Sequence, residues 1–252
     1  MSRRLLIRPG AIGDFIVSLP ALEALKVAGQ YTEIWCAEQN VPLARFADRA
    51  RSIGSAGLDR LAITHADDVI ERLSGFDEII SWYGENRPDF RAFVESVALP
   101  FRFLRALPDG KSHAVDFYAA QARELGAKPA GNPRIAVPDV PRTFAAIHSF
   151  ASALSKRAPM EYFEAAAEKL GRSMPVRWLC GPEEELPDAV RIADLYELAC
   201  WLRSARIFVG NDSGISHLAA AVGTPVVAFF GSSDPKVWAP RGTAVDVVHY
   251  VP

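Results

Sequence analysis

The chain has 252 residues, enough for one large α/β domain or for two smaller domains that each bury a core. Its 28 basic and 30 acidic residues give a formal charge of −2, so it lacks the overall positive charge typical of nucleic-acid-binding proteins. The three cysteines have no metal or redox spacing, which indicates buried thiols and a cytoplasmic location. The start is not typical of a signal peptide, and no stretch has the roughly 18 apolar residues of a membrane-spanning helix, so any membrane contact is expected to be peripheral.

Strands and helices alternate along the first half of the chain, which predicts a parallel sheet covered by helices. Residues 5–8 predict a buried strand, a glycine turn follows at 10–13, and the periodicity predicts an amphipathic helix at 15–28. The later elements of this half are predicted as strands at 31–37 and 76–81, a helix at 88–97, a strand at 101–107 and a helix at 114–125.

A proline-rich segment divides the chain, with Pro129, Pro133, Pro138 and Pro141 close together. It predicts a first domain at 1–130, a linker at 131–142 and a second domain at 143–252. The second domain is predicted to contain strands at 144–148, 176–179, 207–209 and 225–230, and helices at 160–170, 195–204 and 215–222. Two such α/β domains face each other across a cleft, with ligands at the carboxyl ends of the strands.

The run Asn211-Asp212-Ser213-Gly214 stands between a predicted strand and a helix. Backbone N–H groups at Ser213 and Gly214 would point outward, where the helix dipole favours an anion such as a phosphate. His217 lies one turn later on the same helix face. The Asp212 carboxylate would repel a phosphate unless it caps the helix or binds a hydroxyl or a cation.

A second glycine turn, Gly10 to Gly13, precedes Asp14. The dinucleotide pattern G-x-G-x-x-G is absent, so a nicotinamide site is not expected. Asp14 stands at the start of a helix, where it is either a cap or a general base for a sugar hydroxyl.

Ser149, Ser152 and Lys156 belong to a hydroxyl-rich loop after the strand at 144–148. Hydroxyls and a cation, either Lys156 or Arg157, suit a diphosphate, although a solvated surface loop has the same composition.

Glu183 and Glu184 follow the strand at 176–179. A carboxylate there could accept hydrogen bonds from the ribose of a nucleotide, but adjacent glutamates are also common on solvated surfaces.

The histidines show no metal-ligand spacing, and no Gly-x-Ser-x-Gly elbow is present. We therefore expect no metal site and no hydrolase triad. The histidines are His65, His113, His148, His217 and His249.

Taken in order, these segments resemble glycosyltransferase family 9, the ADP-heptose:lipopolysaccharide heptosyltransferases. Residues 6–25 are similar to the family's opening strand, Gly-Asp pair and Leu-Pro-Ala-Leu helix, and residues 195–231 to its Asn-Asp-Ser-Gly, His and Phe-Gly signature. The loop at 148–159 is similar to its phosphate loop. The resemblance implies a GT-B fold, with two facing Rossmann-like domains that have parallel sheets and a cleft between them.

The resemblance further implies an inverting transfer of a heptose-like sugar from a nucleotide-diphosphate donor, ADP-heptose, to a lipopolysaccharide-core or related glycan acceptor. No cofactor is required beyond this cosubstrate, no nucleic acid takes part, and the enzyme would work in the cytoplasm or at the cytoplasmic face of the inner membrane. Asp14 would be the catalytic base and Lys156 the cation on the diphosphate. The implied donor-binding residues are Ser149, Ser152, Glu183, Glu184, Asp212, Ser213, Gly214 and His217.

The sequence leaves two alternative functions open. Family members are longer than this chain, which leaves room for a nucleotide-sugar-binding accessory protein with little transfer activity. A nucleotide-sugar epimerase on the same fold is the second, although the Gly-Asp pair favours transfer. A group of arginines could bind an anionic acceptor or could simply be surface residues: Arg87, Arg91, Arg102 and Arg105.

Overall fold

The computed structural model describes residues 1–61 and 66–250, so His65 lies outside the described residues. In the described part the chain forms two sheets, and all of the strand pairs in them are parallel. The predicted α/β class with two parallel sheets is therefore confirmed.

The first half of the chain alternates strands and helices as predicted, with short additions. Its elements are β1 (Arg3–Arg8), α1 (Ile12–Ala24), β2 (Tyr31–Cys36), a 3-10 helix (Glu38–Leu43), β3 (Arg49–Ser52), α2 (Ile53–Ala56), a second 3-10 helix (Leu58–Arg60), α3 (Asp67–Ser74), β4 (Glu78–Ser81), α4 (Pro88–Ser96), β5 (Phe101–Phe103) and α5 (Ala114–Glu124).

The second half repeats the alternation. Its elements are β6 (Phe144–His148), a 3-10 helix (Leu154–Lys156), α6 (Met160–Gly171), β7 (Val176–Cys180), β8 (Val190–Arg191), α7 (Leu195–Arg203), β9 (Ala205–Asn211), α8 (Gly214–Ala221), β10 (Val226–Phe230), α9 (Pro235–Trp238) and β11 (Val245–His249).

The strand order explains where a ligand can bind. The first sheet has the order β3-β2-β1-β4-β5 and the second β11-β10-β9-β6-β7-β8. Chain order therefore reverses direction between β1 and β4 in one sheet and between β6 and β9 in the other. At such switch points the loops after neighbouring strands run apart and leave a crevice at the carboxyl edge. The loops after β1, β6 and β9 carry the motifs that the sequence singled out.

Residues 125–143 form neither helix nor strand and connect the two sheets. The segment is fastened where Ile135 N–H donates to Ala221 O at 3.0 Å. The exact boundaries of two domains stay a prediction, because one hydrophobic core contains residues of both sheets, including Leu6 and Ile34 from the first and Phe144 and Phe208 from the second.

Helix α1 was predicted as amphipathic over residues 15–28, but it ends at Ala24 and is buried on all sides over residues 15–22. Residues 15–22 are all buried, because α1 packs against α5 and α8 and shares a hydrophobic core with strands of the first sheet. The amphipathic prediction was therefore wrong: a helix enclosed by protein needs no polar face. The strand predicted at 101–107 also ends early, at Phe103.

Three further contacts join the two halves of the chain. His113 Nε2 lies 2.9 Å from Ala239 O, and the Arg241 guanidinium makes two hydrogen bonds to the Asp116 carboxylate. The Arg45 guanidinium lies over the Tyr196 ring, 4.1 Å from its centroid.

The starts of α1 and α8 touch through glycines. A Cβ on Gly214 would lie 2.7 Å from Ile12 Cβ and 3.0 Å from the Gly13 backbone nitrogen, and one on Gly13 would lie 3.3 Å from His217 Cδ2. Only residues without a side chain allow this approach.

None of the helices in the described part of the chain has the length and apolar character that crossing a bilayer requires.

We predict that Gly214→Ala destabilises the protein by about 1–3 kcal/mol, because the added methyl group overpacks a contact between two helices. Urea-induced unfolding measures this change. Gly171→Ala is the matched control, since the nearest atom to its new Cβ would be Val176 Cγ2 at 3.8 Å. Equal stability of the two variants would contradict the tight contact.

Candidate functional site

A cavity of about 410 Å³ lies at the carboxyl edges of both sheets. The first half contributes Ala11, Ile12, Gly13 and Gln39. The second half contributes His148, Ala151, Ser152, Leu179, Cys180, Gly181, Pro182, Glu184, Ile192, Ala193, Leu195, Leu198, Ser213, Gly214 and Ile215. Both glycine turns therefore open onto one space. The part of this space lined by Leu179, Ile192, Leu195 and Leu198 is apolar.

A larger cavity of about 890 Å³ lies at the other end of α8, against the connecting segment. There Arg142 donates to Gly223 O at 2.8 Å, and Arg203 donates to Val222 O. Cations commonly bind the last carbonyls of a helix in this way. The arginines are thus explained by helix capping, and we assign the functional site to the smaller cavity.

Asp14 caps the start of α1 and keeps one oxygen available. Its Oδ2 accepts a hydrogen bond from Ala11 N–H at 3.1 Å, the return half of a capping box. Gly10 makes room for this side chain: it has φ +116°, and a Cβ there would lie 2.8 Å from Asp14 Cβ. Within the described residues Asp14 Oδ1 has no hydrogen-bond partner, so capping and a second role are compatible.

Arg8 supports the same turn, although it was not among the site residues predicted from the sequence. Its guanidinium is buried and donates to Asp14 O at 2.8 Å, to Pro9 O at 2.8 Å and to Ser18 Oγ at 3.1 Å. It also lies over the Tyr118 ring, 4.5 Å from its centroid. These contacts fix the backbone that carries Asp14.

Asp212 is paired with a cation. Its carboxylate is 5% exposed, and Lys156 Nζ lies 2.6 Å from Oδ2, which also accepts a hydrogen bond from Ser233. The negative charge beside the start of α8 is therefore compensated. Lys156 and Asp212 come together from loops after β6 and β9, as expected for neighbouring strands of a parallel sheet.

His148 and Glu184 form a second pair on the cavity wall, with 2.9 Å between Nε2 and Oε2. Burial alone raises the pKa of Glu184, but hydrogen bonds from His148 and from Gly181 N–H outweigh it and lower the pKa below its usual value. Glu184 lines the cavity, whereas the Glu183 side chain is exposed and does not.

Two buried polar atoms at the end of β6 have no hydrogen-bond partner among the described residues. They are Ser149 Oγ and His148 Nδ1. Buried polar groups are normally paired by protein, by water or by a ligand. Ser152, three residues after Ser149, is exposed and lines the cavity.

His217 is buried beside Gly13, where the two halves meet. Burial lowers its pKa to about 4, although the Asp212 carboxylate acts in the opposite direction. The imidazole is therefore neutral at neutral pH.

The exposed arginines near the first sheet are only partly free. Arg102 pairs with Glu78 at 2.9 Å. Arg87, Arg91 and Arg105 lie over the rings of Tyr83, Phe103 and Phe117, and none of these three has a carboxylate partner in the described part of the chain.

Among residues 1–61 and 66–250, no group of three or more His, Cys, Asp or Glu side chains could hold a metal ion.

Comparison with known proteins gives one family. A model described as "Glycosyltransferase family 9 (heptosyltransferase)" matches residues 107–250. Two curated relatives, both lipopolysaccharide heptosyltransferase 3, come from Escherichia coli and from its strain K12. They are 43% and 46% identical over 44 residues, which is 18% of this chain and only 13% of each relative.

Solved structures with similar folds include a glycosyl transferase family 9 protein from Veillonella parvula DSM 2008, with TM-score 0.78, 18% identity, and coverage of 99% of this chain and 86% of that one. E. coli heptosyltransferase WaaC with ADP has TM-score 0.74, 17% identity, and coverage of 98% and 93%. E. coli ADP-heptose lps heptosyltransferase II has TM-score 0.72, 17% identity, and coverage of 98% and 90%. These similarities show that the chain has the GT-B fold.

The pKa of His217 predicts how acid affects stability. The unfolded chain takes up a proton on this residue near pH 6.5, whereas the folded protein does so only near pH 4. Stability should therefore fall as the pH drops from about 6.5 to about 4, and His217→Gln should reduce that fall.

Urea unfolding of both proteins across this pH range measures the difference. Part of the slope should remain, because burial also lowers the pKa of His113. Identical pH dependence in both proteins would contradict the buried neutral His217.

Proposed function

The chain belongs to glycosyltransferase family 9, the heptosyltransferases, and on that basis we propose that it transfers a heptose-like sugar from ADP-heptose to a hydroxyl group of a lipopolysaccharide-core or related glycan. The observation that carries the proposal is that the starts of α1 and α8 line one cavity. Asp14 lies in the first turn of α1 and the Lys156–Asp212 pair lies beside the start of α8, next to residues of the cavity wall although none of the three lines it. One helix start can supply a base and the other can hold a diphosphate.

The donor fits the second-half side of the cavity. Its apolar end, which includes Leu179, Ile192 and Leu195, suits a nucleobase, and Glu184 is available to the ribose hydroxyls. The backbone N–H groups at the start of α8 suit the diphosphate. Structures of WaaC have been solved with ADP and with ADP-2-deoxy-2-fluoro heptose, which supports an adenine nucleotide here.

The chemistry needs one base and a stabilised leaving group. Asp14 would take the proton from the acceptor hydroxyl while the hydroxyl oxygen forms a bond to the anomeric carbon. The bond from that carbon to the diphosphate oxygen breaks, and its electron pair leaves with the diphosphate. A single displacement of this kind inverts the anomeric configuration and requires no protein nucleophile.

Lys156 and the start of α8 would stabilise the charge on the departing diphosphate. Asp212 holds the Lys156 ammonium at 2.6 Å and so fixes it near the helix start. The neutral His217 adds no charge there and can hydrogen-bond a sugar hydroxyl or a phosphate oxygen. The nucleotide sugar acts as cosubstrate, and the proposal requires no further cofactor.

The acceptor would approach from the first half. Arg87, Arg91 and Arg105 are exposed, and the aromatic rings beneath their guanidinium groups restrict their orientation. They suit the anionic groups of a glycolipid acceptor.

The three cysteines are free, in keeping with work in a reducing compartment.

Asp14→Asn should lower the rate of transfer by roughly 10² to 10⁴, the usual contribution of a general base. The asparagine oxygen can still accept the hydrogen bond from Ala11 N–H, so the cap of α1 and the fold should persist. Initial rates with ADP-heptose and a lipopolysaccharide-core acceptor measure the loss.

Asp67→Asn is the matched control, because Asp67 is an exposed acid in the first turn of α3. Near-normal turnover by a folded Asp14→Asn variant would show that Asp14 is not the base.

Nucleotide sugars should stabilise the protein, and ADP-sugars should do so more than GDP-, UDP- or dTDP-sugars. At about 100 times Kd, a ligand that binds only the folded state adds about 2.7 kcal/mol of stability. Thermal-shift measurements with the four classes test the donor. A lack of any shift, or an equal shift with all four, would contradict the proposed adenine nucleotide.

A further inference from the structure

The loop at 149–158 carries the groups proposed to meet the diphosphate, yet it has little regular structure. Only the short 3-10 helix Leu154–Lys156 lies in it. A loop of this kind keeps its functional groups in place only if its ends and its tip are fastened to rigid elements.

Asn211, the last residue of β9, fastens both ends of this loop with one side chain. Its Nδ2 donates to Ser149 O at 2.9 Å, and its Oδ1 accepts from Ala158 N–H at 2.9 Å. The two partners are therefore held together across the base of the loop. Asn211 is itself completely buried.

The chemistry at this position requires an amide. One end of the side chain must donate to a carbonyl and the other must accept from an N–H, and a short side-chain amide does both. Buried backbone groups left without partners are costly, so loss of the amide releases both loop ends at once. The Asn211 backbone is fixed in turn, because Ser216 Oγ donates to Asn211 O at 2.6 Å.

The next residue continues the attachment. Asp212 binds Lys156 within the loop, so a single turn after β9 holds the loop at its two ends and at its cation. The tip is fastened separately, where Ser232 Oγ donates to Ser155 O at 3.0 Å. Ser213 and Gly214, at the start of α8, follow directly in the same turn.

We propose that Asn211 is a positioning residue that sets the 149–158 loop at the distance from the start of α8 at which both can bind one diphosphate. The inference rests on the proposed donor site and adds a residue that would touch neither donor nor acceptor. Asn211 acts through Ser149 and Ala158, whereas Lys156 and the N–H groups of α8 meet the phosphates.

Binding of ADP and of adenosine tests the inference. Asn211→Ala should weaken ADP binding by about tenfold to a hundredfold, because misplaced groups lose their alignment with the diphosphate. Adenosine has no phosphate and should bind with unchanged affinity. A residue that only stabilised the fold would not change the ratio of the two Kd values, which calorimetry measures on the full chain.

Thr224→Ala is the matched control. Thr224 is 1% exposed and donates one hydrogen bond to Leu202 O at 2.7 Å, just beyond the far end of α8. The Thr224→Ala variant also loses a buried hydrogen bond from a side chain to a backbone carbonyl, but away from the loop. It should bind ADP and adenosine like the wild type. Hydrogen exchange at the Ala158 amide should become faster in Asn211→Ala and stay unchanged in Thr224→Ala.

Asn211→Ser keeps a polar group in the buried space and serves as the second variant if Asn211→Ala does not fold. Unchanged ADP affinity in a folded Asn211 variant would overturn the inference and leave the proposed function intact. An equal loss for ADP and adenosine would also overturn it. Failure of the wild type to bind ADP would overturn the proposed donor and this inference together.

Discussion

The close contact between the starts of α1 and α8 is the constraint on which the rest of the site depends. Gly13 and Gly214 have no side chains, so the two helices meet with backbone against backbone. This contact joins the carboxyl edges of two separate sheets, and α1 is buried along most of its length as a result. A Cβ on Gly214 would lie only 2.7 Å from Ile12 Cβ, so a side chain there would push the two turns apart.

Charge at this junction is balanced locally. Asp212 would oppose an anion at the start of α8, but Lys156 and Ser233 bind its carboxylate. One carboxylate oxygen of Asp14 accepts the hydrogen bond that caps α1, and the other is unpaired within the described residues. The neutral His217 fills the space between the two turns without adding charge. The start of α1 therefore presents one carboxylate, and the start of α8 lies beside a carboxylate whose charge is compensated by Lys156. The proposed reaction needs such a separation between a base and a site for a diphosphate.

Much of the fold was predictable because its signals are local. Strand β6 has the predicted bounds, and α4, α5 and α7 differ from prediction by one residue at their C-terminal ends. The pattern failed where elements are too short to show periodicity, as in β3, β8 and α9, or where the environment decides, as in α1. Of the residues near the site, Arg8 and Asn211 were not predicted from the sequence as functional residues. A buried arginine in a strand and an asparagine at a strand end have ordinary local explanations, and only their partners in space reveal what they hold.

The sequence by itself determined the alternation of strands and helices, the two glycine turns and the family resemblance, because each depends on residues close together in the chain. Only the tertiary structure decided that Lys156 meets Asp212, that Asn211 joins the two ends of one loop, and that Glu184 rather than Glu183 lines the cavity. These contacts join residues from different strands, or depend on which way a side chain points. Such contacts are set by strand order and by helix packing, and no local pattern of residues specifies either of these.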